Sequence, residues 1–125
     1  MDIKTAIKVV VLLSLASCQS KQEASQTTKL PATTKGDPVA GKLKYDTLCV
    51  SCHGPRGMGD GPAAASLNPK PRNLQATTRT DDELKKTIKL GGAAVGLSPL
   101  MVPWGGVLND TDIDNVVAYI CSLKP

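Results

Sequence analysis

Three stretches of the chain space their apolar residues as helices do, and each is bounded by residues that start or stop a helix. The first begins at Asp37-Pro38. Asp accepts bonds from the unpaired N–H groups of a first turn, and Pro is pre-set for the first helical position. Gly41, Tyr45 and Cys49 then recur every four residues on one face. The second stretch opens on Thr80-Asp81-Asp82-Glu83, where Thr followed three residues later by Glu makes a capping box. Acidic residues fill its first turn and Lys85, Lys86 and Lys89 its later part, as the helix dipole prefers. Leu84 and Ile88 form a one-sided apolar pair, and Gly91-Gly92 stops the helix. The third starts near Asn109, with Asp112 three residues on, and carries the stripe Ile113, Val116, Val117, Ile120. No alternating strand pattern and no internal repeat is visible, so the expected fold class is all-α.

Gly and Pro crowd the segments between these helices, eight of them in residues 54–73 and seven in residues 91–106. Loops this long are uncommon in a small domain unless they serve a site. Wrapping a flat cofactor would account for both.

Ahead of the first helix the pattern changes twice. Lys4 and Lys8 precede an apolar run from Val9 to Ala16, then Ser17 and Cys18. A basic start, a moderate apolar core and small residues before a Cys make an export signal. The run falls short of the about 20 apolar residues that a transmembrane helix needs. Leu15-Ala16-Ser17-Cys18 resembles the lipobox of bacterial lipoproteins, which implies cleavage before Cys18 and lipid on that residue. Residues 19–36 are rich in Ser, Thr, Gln and Lys, with almost no large apolar side chain. Such a segment cannot offset its ordering entropy and reads as a tether of roughly 23 Å root-mean-square span. The expected organisation is a signal peptide over 1–17, a lipidated Cys and tether over 18–36, and a folded domain over 37–125.

Composition sharpens this picture. The domain has no Phe, one Trp and two Tyr, a thin core for its size. A buried apolar cofactor would supply what the side chains lack. The whole-chain charge of +4 is misleading, because residues 37–125 hold ten Lys or Arg against nine Asp or Glu. Charge therefore makes no case for nucleic-acid binding. Lys21, Lys29 and Lys35 in the tether are too dispersed for a strong lipid signal.

The chemistry is concentrated in Cys49-Val50-Ser51-Cys52-His53. This C-x-x-C-H is the spacing of a c-type haem attachment site. Two thiols within one helical turn can bond the two arms of one porphyrin while the adjacent imidazole reaches its iron. A cytosolic C-x-x-C could be a thioredoxin-like redox pair, but no βαβ pattern surrounds this one and His53 follows at once. Export and motif support each other, since bacterial c-type haem is attached after export. Cys121 is then left over. It lies about 80° from Ile113 on a helical wheel, at the margin of the third stripe. It reads as a small half-buried hydrophobe, with an exposed thiol able to link a dimer as the alternative.

In order and spacing together, residues 37–125 resemble a class I cytochrome c. Gly41 and Tyr45 are similar to the family's first helix, Cys49, Cys52 and His53 to its haem motif, and Met101-Val102-Pro103-Trp104 to its distal methionine loop. Gly59-Asp60-Gly61-Pro62 and Asn68-Pro69-Lys70-Pro71-Arg72-Asn73-Leu74 resemble the loop of one bacterial subgroup. Leu108 through Leu123 resembles the last helix. The resemblance implies three main helices wrapped with their loops around one covalent haem. The first and last helices would cross at Gly41, with Tyr45 and Tyr119 nearby. It implies His53 as the proximal iron ligand and Met101 as the second. His53 is the only His, so two imidazoles from one subunit are excluded. Met58 is the rival thioether, but it follows His53 by only five residues, against 48 for Met101. In the pocket, the Pro62 carbonyl would accept from the His53 ring, Arg72 would pair with a haem propionate, and Trp104 would wall the cavity or reach a propionate.

The sequence thus reads as a monohaem c-type cytochrome that carries single electrons between membrane-associated redox partners and catalyses nothing itself. It is expected on the periplasmic side of a bacterial membrane, monomeric, held by the lipid on Cys18. Two other readings stay open. One is a haem subunit of a larger oxidoreductase complex. The other is a haem enzyme or gas sensor with an open iron site.

Overall fold

The computed structural model describes residues 36–125. The expected signal peptide, Cys18 and the tether lie outside the described residues. Four α-helices follow in order: α1 Pro38–Leu48, α2 Val50–His53, α3 Asp81–Leu90 and α4 Asp110–Ser122. No strand occurs among the described residues, and no helix among them is long and apolar enough to cross a membrane.

Each of the three long helices starts on the residue its sequence indicates, whereas the separate short helix α2 was expected as a continuation of α1. The Asp37 carboxylate accepts from the Val39 N–H at 2.8 Å, with Pro38 in the first turn. At α3, Thr80 Oγ1 accepts from Glu83 N–H at 3.3 Å, and Glu83 Oε2 accepts from Thr80 N–H at 2.8 Å. Asn109 and Asp112 form the same reciprocal box at α4. At its far end, α3 stops on Gly91, whose φ of 81° is strained for any residue with a Cβ.

The first and last helices cross where Gly41 meets the backbone of Asn115. A Cβ at Gly41 would collide with the Asn115 carbonyl, so only glycine allows this approach. Below the crossing, the rings of Tyr45 and Tyr119 meet edge to face, 5.0 Å apart. Tyr45 is fully buried and donates its hydroxyl to the Gly54 carbonyl at 2.8 Å. Leu84 and Ile88 of α3 join Ile113, Val116, Val117 and Ile120 of α4 in one core. Lys44 of α1 and Lys85 of α3 reach Asp112 and Asp114 of α4 at 3.3 and 2.7 Å. Such surface pairs contribute about 0–1 kcal/mol each, so burial of the α4 stripe is the main support.

The glycine-rich loops are less irregular than their composition suggests. Single 3-10 turns form at Ala64–Ser66 and Ala93–Val95. Backbone bonds then tie both loops to helices: Gly59 and Gly61 donate to the carbonyls of His53 and Cys52, and Trp104 donates to Ile88. Cys121 is half-buried, and its thiol lies 3.4 Å from Asp81 Oδ1 at the start of α3.

Candidate haem site

The helix that carries the crossing runs straight into the site. The chain breaks helical register at Cys49 and resumes as α2, which ends on Gly54. His53 N–H donates to the Cys49 carbonyl at 2.9 Å, so both thiols and the imidazole lie on one turn. All three side chains line a cavity of about 470 Å3, a size usual for a cofactor pocket. Tyr45 and Leu48 of α1, Leu84, Thr87 and Ile88 of α3, and Ile120 of α4 form its inner walls. The 91–106 loop closes it with Leu97, Met101 and Trp104, and the 54–73 loop with Leu67, Pro71 and Arg72.

The electrostatics of the motif follow from burial. Loss of solvent pushes the Cys49 thiol up to about 11, with nearby Cys52 adding a smaller push. The surroundings thus disfavour a thiolate, and an uncharged thioether suits them. Burial also lowers the His53 pKa from its ordinary value, opposed by a bond to the Arg72 carbonyl. A neutral imidazole is the form that ligates iron. His53 Nδ1 lies 3.2 Å from the Arg72 carbonyl. In the tautomer that donates there, Nε2 carries the lone pair, and the carbonyl fixes the ring and raises its basicity. The cavity, its apolar walls and this donor set fit a covalently held haem.

That bond corrects one expectation. The Pro62 carbonyl is not the ring's partner, and Pro62 is exposed and does not line the cavity. Its neighbours explain why: Gly61 and Ala63 donate to the carbonyls of Cys52 and Ser51, which holds this segment along the backbone of α2. The carbonyl that meets the ring comes from the later part of the same loop. Among the other pocket residues, Met101, Arg72 and Trp104 all line the cavity. Met58 does not, and it remains 41% exposed. Lys70, Thr87 and Arg79 also line the cavity and were not singled out by sequence reasoning. Thr87 had a signal, since it completes an i, i+3, i+4 face with Leu84 and Ile88. Arg79 precedes α3 and had none.

An all-helical domain with two thiols and an imidazole on one turn, facing a cavity with mostly apolar walls, defines a c-type haem protein. The chain belongs to the cytochrome c family, whose model, described as Cytochrome c, matches residues 38–124. It is 39% identical over 93 residues to cytochrome c-554(547) of Halothiobacillus neapolitanus, covering 71% of this chain and 99% of that protein. It is 34% identical over 87 residues to cytochrome c-554(548) of Halomonas halodenitrificans, covering 70% and 96%. Among solved structures it is similar to a chain of the reducing HAO-like protein complex of Kuenenia stuttgartiensis. The TM-score there is 0.59 at 26% identity, over 76% of this chain and 46% of that one. This chain therefore corresponds to less than half of that neighbour. Membership of the family makes it an electron-transfer protein with covalent haem c, and Cys49 and Cys52 have the attachment spacing.

Proposed function

We propose that this chain is a monohaem electron carrier in which Cys49 and Cys52 form the thioethers and His53 and Met101 ligate the iron. The observation that carries the ligand assignment is that Met101 and His53 line one cavity while Met58 does not. A haem held by these residues would supply one-electron iron chemistry. The residues of this chain do the rest. Burial keeps the His53 imidazole neutral, and the Arg72 carbonyl orients it. The Met101 N–H donates to the Ser98 carbonyl and the Met101 carbonyl accepts from Gly92. These bonds hold the thioether on a fixed loop. Leu84, Ile88 and Trp104 give the cavity an apolar lining that suits a porphyrin.

The carrier is exported, lies on the periplasmic side and is tethered through lipid on Cys18. A tether would replace free diffusion with a high local concentration near membrane redox partners. A visible absorption spectrum of the haem-matured protein, with and without CO, tests the ligand set. A low-spin six-coordinate spectrum with the thioether-to-ferric-iron band, unchanged by CO, is expected. Met101→Ala should abolish that band and admit CO. Ready CO binding by the unsubstituted protein would favour an enzyme or sensor instead. A second reading, a fixed haem subunit, draws on the complex that contains the structural neighbour. Purification of the native protein as a free monomer would count against it.

A further inference from the structure

The Arg72 carbonyl that meets the His53 ring is not held by its own segment. Among the described residues, none from 68 to 73 donates or accepts a backbone-to-backbone hydrogen bond, and Arg72 and Asn73 are exposed. A carbonyl on so free a stretch would wander unless something outside it acts as a pin. The pins come from the segment just after the haem motif. The Leu74 N–H donates to the Gly57 carbonyl at 2.6 Å. The Gln75 side-chain amide donates to the Arg56 carbonyl at 2.9 Å, while its backbone N–H donates to Asn73 Oδ1 at 2.9 Å. Gly59 seats against the Pro71 carbonyl, where an added Cβ would collide. Its own N–H donates to the His53 carbonyl at 2.8 Å.

These contacts close a ring. It runs from the His53 backbone through Gly59 to Pro71, on to Arg72, and back to His53 Nδ1. The ties at Gly57 and Arg56 brace the far side of the same stretch. The bond to Nδ1 is 3.2 Å long, at the outer edge of the normal range. A further shift of a few tenths of an ångström would therefore weaken it. Neither Gly59 nor Gln75 lines the cavity, so both act on the imidazole from outside.

We propose that Gly59 and Gln75 are positioning residues for the His53 ligand, clasping the 71–75 backbone where the Arg72 carbonyl stays on the ring. The proposal rests on His53 ligating the iron. A carbonyl on Nδ1 makes the imidazole a more basic donor. A more basic donor favours the ferric state, so loosening the clasp raises the reduction potential.

The test uses the haem-matured full chain and its Q75A, G59A and N109A variants. Asn109 caps α4 and does not line the cavity, so N109A loses stability without touching the clasp. Spectra with and without CO are recorded first. An open iron there overturns the Met101 assignment alone, because the clasp needs only His53. Two readings follow: the midpoint potential, and solvent exchange of the His53 ring N–H by NMR of the ferrous protein. Q75A and G59A should keep the spectrum of the unsubstituted protein, raise the potential and speed ring exchange. A tenfold change in the reduced-to-oxidised ratio would read as about 59 mV. N109A should lose unfolding stability with neither reading changed. If G59A does not mature, Q75A carries the test by itself. A Q75A potential and ring exchange equal to those of the unsubstituted protein would overturn the proposal. So would equal shifts in Q75A and N109A, which would make them a general effect of lost stability.

Discussion

Single atoms decide much of this domain. The Tyr45 hydroxyl is wholly buried and bonded to the Gly54 carbonyl, the residue that ends the haem-motif helix. Tyr45→Phe removes one of two donors to that carbonyl, because the Gly57 N–H also bonds it at 3.0 Å. A loss of about 0.5–1.5 kcal/mol is expected, read from the denaturant midpoint of the haem-matured protein. The fold should survive, because the ring and its contact with Tyr119 remain. Residues with chemical signatures, such as the two thiols and His53, could be read before folding was considered. Arg72 was legible as a cation but not as a carbonyl, since a backbone oxygen has no signature in a sequence. Which carbonyl meets the His53 ring depends on how the 54–73 loop returns, and that placed Arg72 there instead of Pro62.

At the scale of helices, the caps carry local information that tertiary packing did not override. Thr80 and Asn109 each act through a bond to the residue three positions on, so their signal is complete within four residues. Thr80→Ala should cost about 1 kcal/mol, measured by thermal unfolding. The pH dependence of the same box has a definite sign. The Thr80 backbone N–H, with its hydroxyl, lowers the Glu83 pKa from 4.5. The unfolded chain therefore binds the proton more readily. Stability from the box is complete above pH 4.5 and is lost as pH falls through the lower folded value. In Thr80→Ala that acid-dependent part should shrink, which unfolding midpoints across this range would show. The 3-10 turns were not legible, because each rests on backbone bonds of a glycine-rich loop, which leave no side-chain pattern in the sequence.

For the whole molecule, the core and the cavity must be considered together. Ten apolar residues among those described are buried, and a cavity of about 470 Å3 lies beside them. So small a core is marginal for a domain of this length, and a covalently held haem would complete it. Replacing Cys49 and Cys52 with Ala should give a chain without a cooperative thermal transition. Far-ultraviolet circular dichroism during heating checks this, and a sharp transition like that of the haem-matured protein would contradict it. The ion pairs that join α4 to α1 and α3 are surface features and cannot replace the lost burial.

The sequence by itself determined the three long helices, their caps and the haem-attachment motif, because each rests on residues a few positions apart. Glycine at position 41 hinted at the crossing of α1 and α4, and its collision-free approach to Asn115 gives the reason. Tertiary structure alone decided which carbonyl meets the imidazole and how the two Gly- and Pro-rich loops close the cavity. These outcomes depend on where long loops return in space. Periodicity describes one element at a time and holds no record of that return.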